Sequence, residues 1–314
     1  MVNVNNAQLE RAATKQVDDY RNTPDMFIAD FIAPRVEAAN ITGKIPRFSS
    51  TNQKDINDEV GPHSPTPLVE YDLSSTDFEC TDHRRRLHLP DSIMIPLRDA
   101  GKTGAMLREA GSRARIVAEA MQIRRERLWA AKLVDTSNSV TAQSTPSTKW
   151  NTTGGDPAAT IATAKGTIDD AINRIPEYGL MTRDVAFFLM RHVASLRAGA
   201  SGVGMAPMSE VALYLGLKEL KIINAGYDSA AVGAGRSGSK VITGNKFWVF
   251  HKPMDMSAYA PSWACTPTLS GVPTVSIFRE DSKVKGEAVE VYDWRDDVIV
   301  DKTACIYIPT PLTT

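Results

Sequence analysis

Residues 49–90 constrain this chain more than any other segment, because they form a long stretch with almost nothing apolar to fold around. Ser49 to Pro67 is polar and carries Pro62, Pro65 and Pro67. Leu68-Val69-Glu70-Tyr71-Asp72-Leu73 then alternates apolar with polar, and a second alternating piece runs from Thr76 to Leu89 through Phe78, Cys80 and Leu87. Period-two alternation marks a half-buried strand. Two such strands after a loose tip predict a long β-ribbon. An excursion of about forty residues without its own core is out of place inside a compact monomer. Ordering it costs roughly 1–2 kcal/mol per residue. The ribbon is therefore expected to pack on a neighbouring copy.

The strongest helical signal follows, over residues 98–135. Leu107, Ala110, Ala114, Val117, Met121 and Leu128 recur three or four apart, with a gap at Arg124 and Arg125. Arg108, Glu109, Arg113, Arg115, Glu119, Glu126 and Arg127 occupy the other faces. This is an amphipathic helix with a narrow apolar stripe. From Met106 to Leu133 it would run roughly 40 Å at about 1.5 Å per residue. A helix that long reads as a strut.

The remaining segments divide by pattern. The polar stretch to Arg21 has helix-compatible spacing at Leu9, Ala12, Ala13 and Val17 and reads as an arm that orders on assembly. Phe27 to Ala33 is a short apolar run between Pro24 and Pro34, followed by a turn at Thr42-Gly43. Residues 136–155 are rich in Ser, Thr and Asn and form a boundary. Asp156 is a plausible N-cap and Pro157 a first-turn residue for a helix to Ile175. An α/β block over 156–265 holds helices near 183–196 and 209–215, and extended pieces at Leu180-Met181, 220–225 and 241–252. The segments 274–280, 286–294, 297–301 and 304–308 are extended and predict one closing antiparallel sheet.

Composition excludes several classes. The 314 residues are 42 % hydrophobic and 23 % charged, enough apolar material for a substantial core. A net charge of -1 argues against a dedicated nucleic-acid binder but allows a local basic face. Cys80, Cys265 and Cys305 lie far apart, which fits a reducing compartment and no disulfide framework or zinc site. Met1 to Glu10 has no signal-peptide core, and no run of about 18 apolar residues occurs, so neither export nor a membrane span is expected.

Catalytic motifs are weak. Gly233-Ala234-Gly235-Arg236-Ser237-Gly238 matches G-x-G-x-x-G. A dinucleotide site needs those glycines to open a helix, whose N–H groups hold the pyrophosphate. Here they lead into the strand-like Val241-Ile242-Thr243, and Ser239 precedes Lys240 where a phosphate loop needs lysine directly. A surface loop is the better reading. His83 and His88, five apart on a strand, face opposite sides, so no metal site is expected. Nothing resembles a nucleophile elbow, and no cofactor or catalytic residue is assigned. Arg84-Arg85-Arg86 and Arg124-Arg125-Glu126-Arg127 are the basic clusters. They read as solvated faces, inter-subunit pairing sites, or phosphate contacts to enclosed DNA.

The order of segments resembles the major capsid proteins of tailed phages with the Hong Kong 97-type fold. The resemblance rests mainly on Phe27-Ile28-Ala29-Asp30-Phe31-Ile32-Ala33-Pro34-Arg35-Val36 with Thr42-Gly43-Lys44, and on Glu290-Val291-Tyr292-Asp293-Trp294 with Asp297-Val298-Ile299-Val300-Asp301. It implies an α+β chain in four parts. These are an N-terminal arm and first strand (1–48), an extended loop (49–95), a peripheral domain with a spine helix (96–155 and 269–314), and an axial domain (156–268). It implies a structural subunit without catalysis, forming pentamers and hexamers of an icosahedral-type shell around double-stranded DNA. Scaffold, portal and decoration proteins are the expected partners, and the virion is the expected location. Lys54, Arg84, Arg85 and Arg86 are the candidate inter-subunit contacts. Some family members cross-link a lysine to an asparagine; Lys54 lies in the corresponding loop, but no partner asparagine is matched. An encapsulin-like compartment is the alternative shell, and a nucleotide-dependent enzyme using 233–240 the alternative of another class.

Overall fold

The computed structural model describes residues 6–21, 27–47, 74–139, 146, 148–198, 204–228, 238–252, 262–270, 274–279 and 286–313. The long helix expected from the sequence is α4 (Thr103–Val134), 32 residues and roughly 48 Å long, preceded by the short α3 (Asp91–Asp99). Its buried positions run Met106, Ala110, Gly111, Ala114, Val117, Ala118, Met121, Gln122, Arg125, Glu126, Trp129, Ala130 and Leu133. They keep helical phase from end to end, but the stripe differs from the expected one. Leu128 is 41 % exposed, whereas Arg125 is fully buried. The apparent gap in the stripe is its charged centre.

The N-terminal length of α4 lies over a sheet made by β4 (Thr81–Pro90), β12 (Gly286–Arg295) and β11 (Val275–Arg279). β12 is central and antiparallel to both neighbours. Leu89, Val275, Ile277, Val289 and Val291 meet the helix face in one core. The expected arm departs from prediction. Residues Asn6–Arg21 form α1, whose Leu9, Ala13 and Val17 are completely buried in that same core. Spacing of four places those three side chains on one helical face. α1 crosses α4 where Gly111 leaves room, since a Cβ there would lie 2.4 Å from Gln16. The Glu10 carboxylate accepts the Ile277 N–H on the edge of β11 at 2.8 Å.

A second core surrounds the sheet β14-β9-β5-β6: β14 (Cys305–Pro309), β9 (Lys246–Phe250), β5 (Tyr178–Thr182) and β6 (Glu219–Ile223). Helices α5 (Pro157–Ile172), α6 (Arg183–Ala198) and α7 (Met208–Tyr214) accompany it. Asp156 caps α5 as expected, its Oδ1 accepting the Ala159 N–H at 3.1 Å. β14 corrects the single closing sheet: it pairs with β9 in this second sheet, not with β11 or β12. The cause is legible in its residues. Cys305 to Ile308 are all buried, an unbroken apolar run suited to a strand covered on both faces.

β1 (Arg35–Ala38) runs parallel to β10 (Ala264–Leu269), which also touches β12 and β13 (Val298–Ile299). Just before β1, the single-turn helix α2 (Ala29–Ile32) packs into the second core. The end of α4 enters that core through Trp129, Ala130 and Leu133. Trp248 donates its indole N–H to the Leu133 carbonyl at 3.0 Å, satisfying an end-of-helix acceptor.

Candidate assembly surface and its buried anchor

The described ribbon differs from the predicted pairing of 68–73 with 76–89: its first strand is Thr42–Arg47, running through the expected turn at Thr42-Gly43. β2 (Thr42–Arg47) pairs antiparallel with β3 (Ser74–Glu79), from Thr42 opposite Glu79 to Arg47 opposite Ser74. Residues 48–73, including Lys54 and the alternating piece 68–73, lie outside the described residues. No residue of either described strand is buried. The second alternating piece, expected over 76–89 as one ribbon strand, divides at Cys80. Beyond it, β4 belongs to the main sheet, paired with β12 over ten residues from Thr81 to Pro90.

Polar contacts hold the ribbon against the 296–301 segment. Arg47 Nη2 lies 3.0 Å from Asp301 Oδ1, the Thr76 hydroxyl donates to the Val300 carbonyl at 3.3 Å, and the Glu79 N–H donates to Asp296 Oδ2 at 3.1 Å. Such contacts orient the ribbon without burying it.

Arg84, Arg85 and Arg86 are exposed on β4, opposite Tyr292, Val291 and Glu290. Arg84 reaches Asp82 at 2.7 Å and lies 6.0 Å over the Tyr292 ring. All three lie on the subunit surface. The second cluster splits: Arg124 and Arg127 are exposed, whereas Arg125 turns inward.

Arg125 organises a network that sequence reasoning missed. Its Nη1 lies 2.5 Å from Asp30 Oδ1 on α2, its Nε 3.1 Å from Asp297 Oδ1, and its Nη2 2.9 Å from the Thr266 hydroxyl on β10. Asp30 Oδ1 also accepts from Arg35 Nε at 3.2 Å, and Arg35 Nη1 reaches Asp293 Oδ1 at 3.0 Å. Asp293 Oδ2 is paired with Arg295. Three arginines thus alternate with three aspartates, a neutral set joining α2, β1, α4, β10 and β12 between the two cores. Burial alone would raise the Asp30 and Asp297 carboxyls. Arg125, helped by Arg35 at Asp30 and by Arg295 at Asp297, holds both below the ordinary carboxylate value. Burial works against the Arg125 charge, but Asp30 and Asp297 raise its pKa above the ordinary guanidinium value. The set contains no nucleophile with an activating base; its chemistry is mechanical.

The cysteine thiols are pushed up by burial, Cys265 to about 12. Among the described residues no group of His, Cys, Asp and Glu has metal-site geometry, and no helix is long and apolar enough to cross a membrane. The glycine loop at 233–237 lies outside the described residues. Gly238–Lys240 form β8, paired with β7 (Gly226–Asp228), where a pyrophosphate cradle needs the start of a helix.

A long helix over an antiparallel sheet, a second α/β layer and a two-stranded ribbon make up an α+β fold. A phage-related protein from Bordetella bronchiseptica has this fold, with a TM-score of 0.73 at 18 % identity over 97 % of this chain and 98 % of that one. A virus-like particle from Pyrococcus furiosus aligns with a TM-score of 0.51 at 12 % identity, over 96 % of this chain and 98 % of that one. No protein-family model and no curated protein matches the sequence.

Proposed function

We propose that this chain is the major subunit of a capsid, a closed icosahedral-type shell built from its pentamers and hexamers around double-stranded DNA. The observation that carries this reading is the ribbon. Its described strands bury no side chain, and among the described residues Ile45 and Phe78 belong to neither hydrophobic core. Repetition of one contact by closed symmetry supplies the missing partner many times over. The fold shared with a phage-related protein and a virus-like particle supports the same role.

In this reading Lys54 and the ribbon reach a neighbouring subunit. Arg84, Arg85 and Arg86 present a basic run to an adjacent copy or to packaged phosphates. Scaffold, portal and decoration proteins complete the particle, the virion is its place, and the subunit performs no catalysis. In this reading α1 belongs with the peripheral part and β14 with the axial part.

An encapsulin-like compartment is the second reading, supported by the virus-like particle likeness. Negative-stain imaging of purified particles, with nucleic-acid and protein analysis of their contents, separates the two. Closed shells of one size holding DNA are expected. Shells filled with a second protein favour the compartment. A lone 34.3 kDa molecule at every concentration overturns both.

A further inference from the structure

The ionic network accounts for the charge buried between the two cores except at Glu126. That side chain is fully buried on the same face of α4 as Arg125. Its Oε1 accepts the Ala29 N–H at 2.7 Å, holding the first turn of α2, and the Ile28 amide also faces the carboxyl, while Oε2 makes no well-formed hydrogen bond among the described residues. Among the described residues two more buried polar atoms on this face lack a hydrogen-bond partner, Gln122 Oε1 one turn earlier and Trp129 Nε1 one turn later. A carboxylate with an orphan oxygen is costly away from water. A proton on Oε2 would remove the charge and turn that oxygen into a donor, on a face where Gln122 offers an unused acceptor.

We propose that Glu126 is a proton-operated clasp between the spine helix and α2. Protonated, it stays dry between α4 and α2; ionised, its buried charge needs water at Oε2, and admitting that water loosens the seat of α2 and with it β1 and the ribbon that follow directly in the chain. Burial pushes its carboxyl up to about 7, against the opposing pull of the Ala29 amide and of Arg125. The charged groups facing it are Asp30 from α2 and Arg125 from α4, with Asp297 behind Arg125. Asp30 and Asp297 are held low and Arg125 high, so none of them changes charge near neutrality. The folded state therefore keeps a proton on Glu126 between its ordinary 4.5 and about 7, and stability falls as pH rises through that window. His83 and His251 are shifted down by burial and act with the opposite sign, losing stability as pH falls.

Thermal unfolding of the purified chain between pH 5 and 8 tests the clasp against Glu126→Gln, which mimics the protonated form. The wild-type Tm should fall by roughly 5 °C across the window, while the variant stays level or rises. Parallel profiles overturn the proposal. Hydrogen exchange at the Ala29 amide of the wild type, corrected for the intrinsic pH effect, gives a reading that needs no variant. It should accelerate several-fold above pH 7, and a flat corrected rate overturns the proposal equally.

Discussion

One short segment, residues 293–301, serves two regions of opposite character. Asp293, Arg295 and Asp297 face inward and close the network around Arg125. Asp296, Val300 and Asp301 hold the ribbon, none of whose described residues is buried. The inner contacts centre on the fully buried Arg125 between two hydrophobic cores, with Asp30 and Arg35 reaching the surface at one side; the outer ones join strands open to water. The same chemistry therefore does different things. Removing one member of a buried ionic set leaves its partners charged and unpaired. Removing one member of a solvated pair lets water take its place. The first region fixes the subunit, and the second leaves a surface for something else to cover.

Arg125→Ala should break the inner region most severely, costing roughly 3–5 kcal/mol by chemical denaturation; a loss below about 1 kcal/mol would mean the set is not a working anchor. Leu9→Ala should cost about 3 kcal/mol by the same measurement, because Leu9 is completely buried between α1 and the spine. A near-neutral result would place α1 off the body. Arg47→Ala should cost about 1 kcal/mol or less, because its side chain is 43 % exposed and the buried Asp301 keeps the Thr303 N–H and hydroxyl as partners. Its effect should appear instead in the yield of closed particles by light scattering, and an unchanged yield would remove Arg47 from assembly.

The inner region was partly legible in the residues. Ala114, Ala118, Met121 and Arg125 are spaced 4, 3 and 4, so Arg125 keeps the phase of the apolar face. On β12, Val289, Val291, Asp293 and Arg295 likewise share one alternation. Two elements that turn from apolar to charged in phase are candidates to face each other. Composition hid this, because charged residues are rarely buried unless paired, and the pairing partners, Asp30 and Asp297, stand 95 and 172 residues from Arg125. The long helix and the α5 cap were readable locally, since each depends on neighbours in sequence, whereas Val241-Ile242-Thr243, expected as a strand, lie in the connection between β8 and β9. The packing of α1 and the transfer of β14 to the second sheet were not, because each is decided by a distant partner. The unbroken run from Cys305 to Ile308 was nevertheless the available sign for β14.

Hydrogen exchange, compared between dissociated subunits and assembled particles, measures the difference between the two regions directly. Amides of β2 and β3 that face away from their strand partner should exchange readily in the subunit and become protected in the particle. Those of α4 around Arg125 should be equally protected in both. Ribbon amides as slow in the free subunit as in the particle would contradict the account, since the ribbon would then need no neighbour.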